Sequence, residues 1–526
     1  MEANRTSRLA ALAPPLTIQL DALIRWITSR EMAGRWAFFA VASCIFAVQL
    51  PVLGMYFGGD DFVPLGDIAS HSTWSYIRHL FLLEDPTPNW RFLTGLVYLV
   101  LYETFGLNAF AFLFTSLCVH IATAGLLFRF VRRHTQSLAA AATAAALFGL
   151  SAAYVPTIAY ATAFTHIFGT LLIMLALITI DEALDHEHPD LWRAAAVLFF
   201  ALAVMANEPV AVLAPLFAIV AVWRATQLEA RSVRTWVTAG ALSLTFVAVG
   251  SAAVASLAVC NCTAADDLTG PGSHIFGNIW IYLGRLVYPV GLEWPGEASA
   301  AHLTGGAIVM ALMVFALVRG PAAARIATVF LALTLVPYLP VDWILAPRYV
   351  YLAAAPFSIL GALLLFDLTQ QLRRLSPALP ALAGIAALSA AGLLAWQTWD
   401  QNQVMAVDSG RWRTLVTGLQ ERYPDVAAGS RVYFRGGPLS DPLWQQEVMP
   451  SVGYLLWNNV ELVTVPENAR MLCAAPVRGT YVVDFDDGAF GALLEARRPS
   501  ADLVANDPLA GGVPPLIVDC QQATPP

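Results

Sequence analysis

Gly58-Gly59-Asp60-Asp61-Phe62 follows directly on the first long apolar segment of the chain, Trp36 to Phe57, and sets two adjacent carboxylates at its end. Charge just past an apolar run often does no more than end a helix, so the meaning of the pair depends on what surrounds it. Of the 526 residues, 58% are hydrophobic and only 13% charged, and the mean hydropathy is +0.63. Soluble globular chains carry about a quarter charged residues. The composition therefore predicts a polytopic all-α membrane protein whose apolar surface faces lipid or neighbouring helices. Nucleic acid is excluded as a partner, because the net charge is −8 and no basic run interleaved with aromatics occurs.

Apolar runs of about 17 to 25 residues, with shorter ones where Pro or a charge interrupts, predict roughly eleven transmembrane helices. They are Trp36 to Phe57, Asn108 to Val131, Leu138 to Tyr154, Tyr160 to Ile180, two that flank Asn207-Glu208-Pro209, Trp236 to Val259, Thr304 to Val318, Arg325 to Pro340, Tyr349 to Phe366 and Ala378 to Trp399. Residues 1–35 read as a cytoplasmic segment without a cleavable signal, in which 16–27 form an amphipathic surface helix or a disordered tail. Arg25, Arg30, Arg35, Arg129 to Arg133, Arg224 to Arg234, Arg319, Arg325 and Arg373-Arg374 fall on one side of the spans, which the positive-inside rule assigns to the cytoplasm. The acidic loop Asp181 to Arg193 fits that rule less neatly. Asp60, Asp61 and the C-terminus then lie outside, on the far face of a bacterial-type inner membrane or of an ER membrane, which would give the same sequence signals.

Cys260, Cys262, Cys473 and Cys520 map to that outer face, in keeping with an oxidising compartment. A Cys473–Cys520 disulfide is expected. Cys260 and Cys262 are too close for an easy bridge and read as free thiols or a strained pair, with metal binding the weaker alternative.

The transmembrane domain, 36–399, carries two long outer loops, 58–107 and 260–303. Each contains a helix expected to lie at the interface: Trp90 to Asn108 with Arg91, and Ile279 to Val287 with Trp280, Tyr282 and Arg285. Beyond Asp400 charges and prolines return, and residues 400–526 read as a small extracytoplasmic α/β domain. It has helices at Val407 to Tyr423 and Trp444 to Trp457, and strands at Arg431 to Arg435, Val460 to Val465 and Tyr481 to Phe485. No phosphate loop or nucleophile elbow occurs there, which favours binding or support over catalysis.

In this order the membrane part resembles the GT-C superfamily of integral membrane glycosyltransferases, which use polyprenyl-phosphate-linked sugars. The run from the acidic pair through the Arg-bearing helix, Trp90-Arg91-Phe92-Leu93 to Asn108, and on to a helix with His120 looks most like the membrane half of the tetratricopeptide-containing O-mannosyltransferases and their bacterial relatives. Those open the interfacial helix Tyr-Arg-Pro-Leu and carry Lys-Glu where this chain has Asn207-Glu208; the proline and the lysine are absent here. A later Arg-Tyr-x-Tyr is present as Arg348-Tyr349-Val350-Tyr351, and no tetratricopeptide repeats follow. The resemblance covers about residues 36–366 and implies transfer of a sugar from a polyprenyl-phosphate donor to an extracytoplasmic glycan, lipid or protein acceptor, in contact with membrane lipids.

Such transfer builds positive charge at the anomeric carbon while the acceptor hydroxyl loses a proton, so a carboxylate at the membrane edge suits a general base. Asp60 matches the family's first acidic position and is the expected base; Asp61 is then its orienting partner or, with Asp60, a ligand for a divalent Mg or Mn ion. Arg91, Arg348 and Tyr349 are expected around the donor phosphate and sugar, the arginines having a plainer reading as headgroup anchors. His166, near the outer end of the fourth span, is either a packing residue or a donor to sugar or phosphate, and Glu208 is expected to face the cavity. His120 and Asp342 read as a buried hydrogen-bonding group and a loop acid. The alternative is a transporter or flippase for a lipid-linked sugar, or an inactive scaffold; a transporter more often shows matching halves, and no internal repeat is visible.

Overall fold

In this computed structural model residues 30–82, 91–185, 189–227, 233–260, 272–288, 298–342, 345–376, 378–424, 426, 431–435, 442–457, 460–465, 476–486, 489–490 and 494–497 are described. The expected surface helix at 16–27, Cys262 and the Cys473–Cys520 disulfide lie outside them. Cys44 and Cys118 are free thiols on the surface of the bundle.

The chain is a helical bundle of the kind the apolar runs predict, and each of the eleven expected spans falls on a helix. Among the described residues nine helices are long and apolar enough to cross a membrane. The other two positions are the helix Pro189–Ala206 and the helix Ala322–Leu335, whose 14 residues rise only about 21 Å against a hydrocarbon core of about 30 Å. A 3₁₀ turn, Val336–Tyr338, prolongs it where Pro337 stops the α-helix. At the centre stands Phe164–Asp185, which packs on Ala109–Thr135, Pro189–Ala206 and Tyr351–Leu375.

One end of the bundle is basic and paired. Asp181, Glu182 and Asp185 form the last turn of the central helix, so the acids of that loop turn inward to meet arginines from neighbouring helices. Arg224 Nε lies 2.6 Å from Asp181 Oδ1, His134 Nε2 3.0 Å from Asp181 Oδ2, and Arg129 Nη2 2.9 Å from Glu182 Oε1. Arg133 binds both Glu182 and Asp185. These pairs account for the acidic loop that sits awkwardly with the charge rule.

Two expected boundaries differ. Ala378 to Trp399 and Val407 to Tyr423 are one helix, Leu379–Arg422, of 44 residues. The linking residues Asp400 to Ala406 contain neither Gly nor Pro, so nothing in them stops propagation. The second loop helix, His274–Arg285, is not an interfacial anchor through Arg285, because that side chain is 0% exposed. It is turned into the protein, where it donates to the Leu345 carbonyl.

Past residue 430 the described segments include strands β1 (Arg431–Arg435), β2 (Glu461–Val465), β3 (Pro476–Asp486), β4 (Ala489–Phe490) and β5 (Leu494–Arg497). β1 lies between β2 and β3 and is parallel to both, with Arg431 opposite Glu461 and Thr480. The helix Pro442–Trp457 connects β1 to β2 and packs on β2 and on the helix Phe62–Ser70.

Candidate active site

Asp60 and Asp61 occupy a single 3₁₀ turn, Gly59–Asp61, at the end of the bundle opposite the arginine-rich cluster. The turn exists because Asp61 caps its own loop: Oδ2 accepts the Gly58 N–H at 3.0 Å. Its other oxygen, Oδ1, accepts both the N–H and the hydroxyl of Thr162, at 2.8 and 2.9 Å. Gly58 itself must lack a side chain, since a Cβ there would run into the Tyr160 ring. Asp61 is 1% exposed and its oxygens are committed to three donors. Burial nonetheless pushes its carboxyl up to about 6, the hydrogen bonds from Thr162 and Gly58 pulling the other way.

Asp60 points elsewhere. Its Oδ2 accepts Arg348 Nη1 at 3.0 Å across 288 residues of sequence, and both side chains keep about a quarter of their surface open, 27% and 25%. Desolvation raises the Asp60 carboxyl above the ordinary range, and the neighbouring Arg348 and, more weakly, Arg91 oppose that rise.

Arg91 precedes the helix Phe92–Phe105 and makes a fork-to-fork pair with Glu208, Nε to Oε2 at 3.1 Å and Nη2 to Oε1 at 3.0 Å. Glu208 opens a 3₁₀ turn, Glu208–Leu213, whose Pro209 interrupts the α-helical run and brings the carboxylate to the bundle's end. Asn207 is 0% exposed and lies against the central helix, Nδ2 3.4 Å from His166 Nδ1. Gly169 leaves room for it: a Cβ there would sit 2.9 Å from Asn207 Cβ. His166 is 3% exposed, and its ring centroid is 6.2 Å from those of both Tyr338 and Tyr349. The two tyrosine rings stack on each other at 4.7 Å, and the Arg348 guanidinium lies 5.6 Å from the Tyr349 centroid.

The segment bearing Tyr338, Arg348 and Tyr349 is held by one face of the helix His274–Arg285. His274 Nε2 is 3.1 Å from Pro340 O, Asn278 Nδ2 donates to Leu339 O and Val341 O at 2.9 and 2.7 Å, Tyr282 donates to Tyr338 O at 3.0 Å, and Arg285 donates to Leu345 O. Residues 274, 278, 282 and 285 share a helix face, so this is a designed stripe rather than scattered contacts.

The structure thus brings Asp60, Arg91, His166, Glu208, Arg348 and Tyr349 to one end of the bundle, with Asp61 behind them. His120 is buried apart from them, hydrogen-bonded to the Tyr351 hydroxyl at 2.8 Å. Asp342 lies in the segment that the His274 stripe pins. Thr162, Tyr338 and the His274 stripe escape the sequence reading, since Thr and Tyr in an apolar context carry no spacing signal; only Pro337 beside Tyr338 marks a broken helix. The two carboxylates already have partners of their own. Asp61 is saturated by donors, Asp60 faces a guanidinium, and among the described residues no three His, Cys, Asp or Glu side chains gather into a ligand set.

The archaeal oligosaccharyltransferase of Archaeoglobus fulgidus, solved with a tethered acceptor peptide, superposes on 83% of this chain with a TM-score of 0.50 at 13% identity. The membrane part has the GT-C fold. This chain covers 64% of that enzyme's length. ArnT from Cupriavidus metallidurans aligns over 83% of this chain and 86% of its own, with 14% identity and a TM-score of 0.48; its complex with undecaprenyl phosphate gives 14%, 82%, 85% and 0.45 for identity, the two coverages and TM-score. No protein-family model and no curated protein matches the chain by sequence.

Proposed function

We propose that the chain is a membrane glycosyltransferase that moves a sugar from a polyprenyl-phosphate donor to an extracytoplasmic glycan, lipid or protein, with Asp60 as general base. The observation that carries this reading is the meeting of two carboxylate–guanidinium pairs, Asp60–Arg348 and Glu208–Arg91, from four distant segments at one end of a GT-C fold. Both pairs are partly open to solvent rather than sealed in the core, so a ligand can reach them.

The chemistry follows from the charges. A donor phosphate oxygen approaching Arg348 competes with Asp60 for the same guanidinium, and the carboxylate it displaces becomes free to take the proton of an acceptor hydroxyl. As the deprotonated acceptor oxygen bonds to the anomeric carbon and the bond from that carbon to the phosphate oxygen breaks, charge collects on the leaving polyprenyl phosphate, where Arg348 and Arg91 stabilise it. Stacked Tyr338 and Tyr349 give the site an apolar wall of the kind that seats a sugar face or the first isoprene unit. In this reading the site end faces the outside of a bacterial-type inner membrane, with the N-terminus cytoplasmic.

Deleting the gene in its host, complementing with wild type or Asp60→Ala, and comparing surface glycans and polyprenyl-phosphate sugars by mass spectrometry tests this. Restoration of one missing sugar by wild type alone supports catalysis. Equal restoration by a well-expressed Asp60→Ala protein would move the reading to transport or scaffolding.

A further inference from the structure

The loop that carries Asp60 has little regular structure of its own, and the far end of the chain supplies what it lacks. Between the 3₁₀ turns Leu50–Gly54 and Gly59–Asp61, residues 55–58 belong to no helix or strand. Side chains some 350 residues later take up the exposed backbone groups. Asn402 donates to Val48 O at 3.1 Å and to Gln49 Oε1 at 3.0 Å. The Ser409 hydroxyl accepts the Tyr56 N–H and donates to Tyr56 O at 3.3 Å, closing a ring on one residue. Arg413 Nη2 donates to Gly54 O at 2.8 Å, with its guanidinium 5.7 Å from the Tyr56 ring centroid. Trp412 meets Phe62, the residue after the acidic pair, at 5.3 Å between rings.

Positions 402, 409 and 413 share one face of the long helix Leu379–Arg422, at spacings of seven and four. A second attachment lies just beyond the acids. Gly66 in the helix Phe62–Ser70 touches the helix Pro442–Trp457 so closely that a Cβ on it would sit 2.6 Å from Ser451 Cβ. The loop is therefore gripped on one side by the C-terminal region, while on the other Asp61 ties it to Thr162 and Asp60 meets Arg348.

We propose that the end of the long helix, with the helix Pro442–Trp457, forms an arm that holds the Asp60 loop in register with Arg348, so that Ser409, Trp412 and Arg413 are positioning residues for the general base. The proposal rests on the glycosyltransferase reading and gives the C-terminal region a role in it. The hydrogen bond of Arg413 to Gly54 is exposed, and an interaction of that kind contributes little to global stability. Its consequence is geometric: it fixes where one carboxylate stands.

The test uses the full-length protein in lipid nanodiscs with a synthetic polyprenyl-phosphate hexose, alongside Asp60→Asn. Ser409→Ala and Arg413→Ala are expected to speed hydrogen exchange of amides 55–62 about tenfold, with exchange in Ala109–Thr135 unchanged. They lower kcat about 10- to 100-fold with donor KM within about twofold, and Arg413→Lys recovers much of the loss. The acid limb of kcat/KM moves to higher pH, because a carboxylate out of register with Arg348 loses the cation that opposes its desolvation. The other charged and titratable groups facing this region, Arg91, Asp61, Tyr160 and, across Tyr160, Asp408, stay in place in these variants.

Unchanged exchange, kcat and acid limb in both variants, with Asp60→Asn inactive, would overturn the arm and leave the functional reading standing. Exchange that rises equally in every helix would also overturn it, as general loosening. Transfer retained by Asp60→Asn would remove the base itself, and the arm with it.

Discussion

At the basic end of the bundle Asp181, Glu182 and Asp185 share Arg129, Arg133, Arg224 and His134, so that Asp181 alone meets two guanidiniums and an imidazole. At the site end the two partly open carboxylates meet one guanidinium each: Asp60 meets Arg348, and Glu208 meets Arg91. The first arrangement has redundancy and a nearly sealed centre, with Asp181 2% exposed; the second has separable pairs partly open to solvent. Shared charges lock helices together, whereas a single open pair can exchange its partner for a ligand. The same ingredients near an apolar core therefore serve cohesion at one end and, in the reading proposed here, chemistry at the other.

The largest break in that comparison comes from Arg348→Ala, which strips Asp60 of its guanidinium partner. Transfer is expected to fall about 10²- to 10³-fold, measured as product formed per folded molecule, with Arg348→Lys only partly restoring it because an ammonium lacks the planar fork. At the opposite end Asp181→Ala leaves Arg224 and Arg133 facing an emptied buried position. It should cost about 3–5 kcal/mol of stability in a denaturation assay while kcat of the molecules that remain folded is unchanged.

A smaller effect sits behind the site. The Asp61 carboxyl holds its proton in the folded protein up to about pH 6, whereas in the unfolded chain it ionises near the ordinary 3.8. Folding takes up a proton between these values, so stability falls as pH rises through about 4 to 6, by an amount of up to about 3 kcal/mol. Thermal melts across that window should show a steeper decline in wild type than in Asp61→Asn, where the raised Asp60 carboxyl still contributes; an equal decline in both would assign it to another group. The smallest effect is expected for Arg129→Gln. Arg129 is 59% exposed and Glu182 keeps Arg133, so the change should stay within about 1 kcal/mol. A larger loss would show that the shared cluster is less redundant than its geometry implies.

Much of the membrane architecture is legible in the apolar runs, because a bilayer of fixed thickness dictates segment length and composition together. Asp60, Arg91, Glu208 and Arg348 can be picked out as charges at the ends of apolar runs, where each is costly without a purpose. Their pairing cannot, since Asp60 and Arg348 are 288 residues apart and Arg91 and Glu208 117, and no local pattern encodes such contacts. Thr162 is equally silent: its hydroxyl finds Asp61 only once the two turns are folded against each other. Arg285 misleads, because an arginine on a Trp- and Tyr-bearing helix reads as an interfacial anchor until the fold buries it against the Leu345 carbonyl. The uninterrupted helix to Arg422 is hidden by a shift from apolar to polar composition that changes its surroundings without breaking its backbone.

The most direct test is release of free polyprenyl phosphate from a synthetic polyprenyl-phosphate hexose by the purified full-length protein in nanodiscs, with wild type and Asp60→Asn compared in the presence of host-derived glycan acceptor. Wild type should release the lipid phosphate with matching transfer to acceptor, and Asp60→Asn should do so about 10²- to 10⁴-fold more slowly at equal thermal stability. Equal turnover by the two proteins would contradict Asp60 as the base and, with it, the assignment of chemistry to the open end of the bundle.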